Sequence, residues 1–368
     1  MMLHARFRIP HSAIRIPTMP AVHLNISEVP VIISANSPRL IRLFADYFRY
    51  YDPEIEASAD GRDCLHAQDG IAPLVIELKV RRELPPREKL IPPRAELFSQ
   101  TGVVRLWREQ IEAQSAEATE RFYFDLGVAA FRVEPRLNRA IGLIAPQALE
   151  YPHILANTYA LFALLLLLRS RNLYHLHAAA VVSPQDELWL ICGSQRSGKT
   201  TLTTALGIAG WRPVSDDSLL ISFDGEAPRV AALKKYFHIG DELLARWRQL
   251  DGIARRHQYL DRTCVQGLEF FGTERLTEMR FREIDHIVLP EITGEKQSRV
   301  EPIPRGEALL RLAEQSMFFQ LWPEHTRRQW EALTKLTATA SCHRLLAGRD
   351  ILDDPLRAAE ITPGAAKL

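Results

Sequence analysis

Residues 193–200 read Gly-Ser-Gln-Arg-Ser-Gly-Lys-Thr and match the pattern GxxxxGK[ST] in full. Glycines let a backbone curl until successive N–H groups point at phosphate oxygens. A helix starting at about Lys199 adds its positive dipole end. In such a loop Lys199 reaches the β- and γ-phosphates, and the Thr200 hydroxyl coordinates Mg2+. Composition alone yields this pattern in a chain of this size about 1% of the time. Its place between an apolar run and a helix-like run makes coincidence rarer still. The candidate nucleotide-binding set is therefore Gly193, Ser194, Gln195, Arg196, Ser197, Gly198, Lys199, Thr200 and Thr201.

Asp216 and Asp217 follow Lys199 by 17 and 18 residues. Out of context, side-by-side aspartates between two strands read as a solvated turn. A strand running parallel to the loop-bearing strand, however, delivers its C-terminal end to the phosphate edge of the sheet. One carboxylate there can hold Mg2+, directly or through water, and a second can take a proton from an attacking hydroxyl. That division of labour suits a kinase. An ATPase needs only a group that positions water.

The elements that must position these residues are legible in outline. "LHAAAVV" (176–182) and "ELWLICG" (187–193) read as strands joined by the turn "SPQD". A helix follows the loop and stops at Gly210, and "WRPVS" and "SLLISF" are strands on either side of the aspartates. "DGEAP" is a turn, "DHIVLPEI" (285–292) and "SCHRLLAG" (341–348) are strands, and helices lie near 306–319 and 324–338. Upstream, "VPVIISA" (29–35) and "IAPLVIELKV" (71–80) are strands and 38–51 has helical spacing. "RFYFDLGVAAFRVEP" and "RAIGLIA" form a hairpin. Pro152 opens a long helix over 153–171.

The expected division is a disordered or edge segment at 1–28, an α+β module at 29–150 and an α/β phosphate-loop domain at 151–368. The first 27 residues lack acids and carry Arg6, Arg8 and Arg15, but Pro10, Pro17 and Pro20 spoil the amphipathic helix of a targeting segment. The longest apolar run, "YALFALLLLL", is about half a bilayer span, so a buried helix is expected there and no membrane partner. A net charge of +1 gives no field to recruit nucleic acid. Cys64, Cys192, Cys264 and Cys342 form no CxxC pair, which argues against zinc or disulfides and fits a reducing cytoplasm.

Taken in order, a histidine ahead of a small-apolar strand ("LHAAAVV"), "GSQRSGKT" and the aspartates of "WRPVSDD" resemble the HPr kinase/phosphorylase family of bacterial P-loop serine kinases. The resemblance covers roughly residues 175–225. It implies the fold shared by HPr kinase C-terminal domains and phosphoenolpyruvate carboxykinase, with ATP or GTP and Mg2+ as cofactors. By the same resemblance Lys199 neutralises the transferred phosphate and Thr200 holds the metal. Asp217 accepts the proton of the substrate serine, Asp216 supports it or the metal, and His177 sits beside the phosphates. Read alone, His177 is an ordinary core histidine. HPr kinases assemble as hexamers, so a homo-oligomer is implied as well.

The chain also departs from that family. Its glutamate-containing "EIRG"-like stretch is missing; Asp241 and Glu242 fall at about the right distance, in the unlike setting "HIGDELLARW". The layout is closer to HPr-kinase-like proteins of peptide-modifying systems, such as lasso-peptide precursor kinases. The expected acceptor is then a hydroxyl on a peptide or small protein, docked by residues 30–150. Lys234 and Lys235 could cap phosphate, though a solvated strand edge is the simpler reading. A non-catalytic nucleotide-binding regulator and a small-metabolite kinase remain open. For the latter, phosphoenolpyruvate carboxykinase shares the loop, but no lysine–histidine metal pair stands out.

Overall fold

The computed structural model of the chain describes residues 19–51, 53–56, 71–101, 104–111, 119–224, 226–234, 236–252, 257–259, 262–267, 271 and 281–361. Cys64, Lys235 and the basic start of the chain, residues 1–18, lie outside them. The N-terminal strands are β1 (Ala21–Ile26), β2 (Val29–Ala35), β3 (Glu54–Glu56), β4 (Leu74–Val80) and β5 (Glu96–Thr101). They are followed by β6 (Val104–Ile111), β7 (Thr119–Asp125), β8 (Ala129–Glu134) and β9 (Arg139–Ile144). All nine form one sheet in the order β3-β1-β2-β4-β9-β8-β7-β6-β5. The pairs β2–β4 and β4–β9 are parallel, and β5 to β9 run as an antiparallel meander.

The expected hairpin of residues 121–144 is thus part of a larger meander. Of the stretch 1–28 expected to be a disordered or edge segment, residues 1–18 lie outside the described residues, and Ala21–Ile26 form a strand inside the sheet. Val22, Leu24 and Ile26 alternate into the core, so β1 pairs with β2 on one side and β3 on the other.

Helix α1 (Pro38–Tyr47) starts on a proline, whose missing N–H costs nothing in a first turn, and buries Leu40, Ile41, Phe44 and Tyr47. The long helix opens at Pro152, passes through a π-helical turn (Leu155–Ala160) and continues as α2 (Leu161–Arg169). Leu164 to Leu168 are buried on every side, as a helix without a polar face requires. Each such leucine stabilises the fold by roughly 1.5–3 kcal/mol. Among the described residues no helix is long and apolar enough to cross a membrane. Helix α2 packs under β4, β8 and β9 and also against the strand Leu173–Leu176 that follows it, so one core runs across residue 150.

The rest of the chain surrounds a six-stranded sheet. Its elements begin with β10 (Leu173–Leu176), β11 (Ala178–Val182), β12 (Leu188–Cys192), α3 (Lys199–Ile208) and β13 (Arg212–Ser215). Next come β14 (Leu219–Ser222), β15 (Arg229–Ala232), β16 (Tyr236–Gly240), β17 (His257–Tyr259) and β18 (Arg262–Gln266). The last are β19 (His286–Ile292), β20 (Arg299–Pro302), α4 (Arg305–Glu314), α5 (Pro323–Thr339) and β21 (Ser341–Ala347). The main sheet has the order β13-β11-β12-β19-β21-β20, and two three-stranded sheets, β10-β14-β15 and β16-β18-β17, flank it.

Strands β12, β19 and β21 are parallel, and β11 runs antiparallel to both β12 and β13. The direction of β13 therefore matches that of β12, and four strand ends meet at one edge. Ala179 and Val181 of β11 pack with Leu202, Ala205 and Leu206 of α3. Ala178 and Ala180 face α4 and α5 on the opposite side. The result is a mixed α/β architecture with three layers, its loop-bearing strand near the centre.

Candidate active site

The loop after β12 has the backbone its sequence suggests. A Cβ at Gly193 would lie 2.6 Å from Ser197 Oγ, so the close approach requires glycine. Gly198 has φ +98°, a left-handed conformation that glycine adopts freely. Lys199 and Thr200 open α3, so the first-turn N–H groups, which have no helical partner, face the hollow of the loop. Lys199 Nζ donates to the carbonyls of Gly193 and Ser194 at 2.8 and 3.0 Å.

The aspartates sit where the chain changes sheets. β10 and β11 are separated only by His177, and β13 and β14 only by residues 216–218. Both chain segments step between sheets at that level, which puts His177 against the aspartate turn. Its Nδ1 lies 2.9 Å from the Asp217 carbonyl oxygen, so that nitrogen carries the proton. Burial holds His177 below its ordinary pKa, which leaves a neutral ring with Nε2 as an acceptor. Ser215 Oγ ties the turn down, lying 2.9 Å from the carbonyls of Ser218 and Lys234. The turn is not a solvated one.

The two carboxylates have unequal surroundings. Asp216 Oδ2 accepts the His238 N–H at 3.0 Å, while Oδ1 is buried without a hydrogen-bond partner. Burial, then the neighbouring Asp217 charge, pushes Asp216 up to about 6, against the pull of the Thr200 hydroxyl. Burial pushes Asp217 up too, but the Lys234 ammonium outweighs it and holds that carboxyl well below the usual range. Asp217 is the ionised member; a charge on Asp216 is costly until a cation arrives. An Asp216 carboxylate with one unpartnered oxygen and the Thr200 hydroxyl near it suits a hard divalent ion, which takes oxygen ligands and keeps waters or phosphate oxygens as the remainder.

Lys234 is corrected from a solvated strand edge. Its side chain is 6% exposed, and Nζ lies 2.9 Å from Asp217 Oδ1 and 2.9 Å from Asn157 Oδ1. His238 also approaches the same carboxylate, its Nδ1 lying 3.7 Å from Asp217 Oδ2. Asn157, Tyr47 and His238 carry no local signal; they reach the aspartates through contacts between distant segments.

A cleft of about 1130 Å³ lies in front of these groups. Gln195, Arg196, Gly198, Lys199, Thr200, Thr201, His177, Asp216 and Asp217 all line it. Gly193, Ser194 and Ser197 form the base of the loop. Tyr47 of α1 and Asn157, Thr158 and Phe162 of the long helix make the opposite wall, and Asp241 and Glu242 lie at its margin. The arrangement sets the glycine-rich loop and an ionised carboxylate on the same cleft.

No family model matches the chain, and no curated protein matches it. Among solved structures, the HPr(Ser) kinase/phosphatase from Coxiella burnetii is similar at 14% identity. The match covers 49% of this chain and 88% of that one, with a TM-score of 0.25. A likeness of that size is distant, and the chemistry of the cleft is read from its own geometry.

Proposed function

We propose that the protein is a nucleotide-dependent phosphotransferase that moves the γ-phosphate of ATP or GTP to a hydroxyl on a peptide or small protein. The observation that carries this reading is Asp217, a carboxylate held ionised by Lys234 in the same cleft as the glycine-rich loop. A binder that never transfers phosphate needs the loop but not the base.

The loop N–H groups and the start of α3 receive the phosphates. Lys199 exchanges the carbonyls of Gly193 and Ser194 for phosphate oxygens, replacing neutral acceptors by charged ones. Thr200 and Asp216 would hold Mg2+, which offsets phosphate charge when bound. Asp217 takes the hydroxyl proton as the acceptor oxygen bonds to the γ-phosphorus and the bond to the β–γ bridging oxygen breaks. A phosphomonoester and the nucleoside diphosphate leave. Neutral His177 holds the Asp217 backbone in place and offers Nε2 towards the cleft.

The cleft, about 1130 Å³, is slightly larger than the roughly 300–1,000 Å³ of a pocket for one small ligand, which leaves space beside a nucleotide for part of an acceptor. The wall made by α1 and the long helix is where that acceptor would lie. Full-length protein with ATP, Mg2+ and either HPr or candidate precursor peptides, followed by intact mass, tests the reading. One added phosphate on a polypeptide serine is expected. Phosphate appearing only on free metabolites would move the acceptor class, and none on any acceptor would count against transfer itself.

A further inference from the structure

The π-helical turn Leu155–Ala160 places Asn157 over the back of the aspartate turn, where none of the steps above uses it. Its Oδ1 accepts two hydrogen bonds, from Lys234 Nζ at 2.9 Å and from Tyr47 OH at 2.7 Å. Lys234 in turn holds both oxygens of Asp217, at 2.9 and 3.1 Å. Tyr47 is fixed from the other side by its stacking on Tyr236, with ring centroids 5.4 Å apart. A chain of four side chains thus runs from α1 through the long helix to the carboxylate. Lys234 does not line the cleft, whereas Tyr47, Asn157 and Asp217 do. π-Helical turns widen a helix by one residue and recur at functional sites.

We propose that Asn157 is a positioning residue, which acts through Lys234 to set the orientation of the Asp217 carboxylate and so ties the acceptor wall to the base. The inference rests on the phosphotransferase reading. Lys234 supplies the charge, and Asn157 supplies the direction. An ammonium held by Asp217 alone could swing about its flexible stem; a second acceptor opposite the carboxylate removes that freedom. Tyr47 performs the same service for the Asn157 amide, because a hydroxyl donor selects the carbonyl oxygen and turns the NH2 group away from Lys234. Anything seated against Tyr47 and Asn157 therefore bears on the base without touching it.

The test is single-turnover hydrolysis of ATP with Mg2+, water serving as the acceptor, alongside calorimetric ATP affinity and thermal unfolding. Asn157→Leu keeps the branched heavy-atom shape, with somewhat more bulk, but removes the acceptor. It should slow hydrolysis by ~10-fold or more with ATP affinity unchanged within about twofold, since small misplacements of a reacting group are costly. Asn157→Asp still accepts from both donors and should recover most of the rate. Tyr47→Phe is a milder variant that should fold in any event and slow hydrolysis by about two- to fivefold.

In an Asp217→Asn chain, Asn157→Leu should cause no further loss, because the two residues act as one unit. If the losses multiply instead, or if Asn157→Leu turns over at the wild-type rate, the inference is wrong while the phosphotransferase reading stands. If the wild-type chain binds ATP but transfers phosphate neither to water nor to any polypeptide acceptor, both are wrong.

Discussion

With Lys234 almost wholly buried 2.9 Å from Asp217 Oδ1, removal of its ammonium strands a carboxylate in a site built for a pair. Lys234→Met should cost about 1–3 kcal/mol of stability, the penalty for a polar group left without its partner. Asp217→Asn in the same chain should return part of that loss. Urea unfolding of the two single variants and the double variant measures the coupling, and strictly additive losses would mean the ion pair is not what holds the turn. His175 offers a second test at this scale. Its Nε2 lies 2.9 Å from Ser218 Oγ, and burial pushes its pKa down to about 3. Since the folded value lies below the unfolded one, the unfolded chain binds the proton first as pH falls. The contribution of neutral His175 is therefore complete above about 6.5 and is lost on going down towards 3. At pH 5 that loss is about 2 kcal/mol. His175→Gln should show a shallower fall in stability between pH 7.5 and 5 than the wild type, and parallel curves would contradict the assignment.

At the level of elements, the loop after β12 depends on a contact rather than on sequence pattern alone. A methyl group at Gly193 would press on Ser197 Oγ at 2.6 Å and displace the loop floor. Gly193→Ala should weaken ATP binding by ~10-fold, a little over 1 kcal/mol, while leaving the unfolding temperature almost unchanged. Calorimetry decides it, and full affinity would show that the floor can yield. This loop, α3 and the strands around them were legible because their signals are local: glycine spacing, an apolar run before and a helical pattern after. The break at His177 was not. Apart from His177 itself "LHAAAVV" is apolar, and nothing in it says that Leu176 belongs to one sheet and Ala178 to another. Strands β15 to β18 escaped for a related reason, being short pieces whose partners lie in other segments. Lys234 was misread as solvated because the helix that covers it is about 75 residues away in the chain. Local polarity cannot report a lid of that kind.

On the scale of the whole molecule, the nine-stranded sheet and the six-stranded sheet are not separate bodies joined by a tether. Helix α2 is buried in the core of the first, and the cleft in front of the phosphate loop is closed by α1 and the helical turn that leads into α2. Tyr51 OH reaches the carbonyl of Ala232 at 2.8 Å and Tyr236 OH reaches that of Asp46 at 3.1 Å, so the contact runs in both directions. The acceptor would enter between a module that supplies the wall and one that supplies the base. The cleft that both parts of the chain line was not legible in the sequence, since it depends on where one buried helix packs. The most direct measurement of the whole account compares wild type with Asp217→Asn for phosphate transfer from ATP and Mg2+ to a polypeptide hydroxyl, with ATP affinity measured on the same samples. Asparagine keeps the shape and loses the basicity, so affinity should stay within a few-fold while transfer falls by roughly 10²-fold or more. Transfer by Asp217→Asn at the wild-type rate would contradict the account.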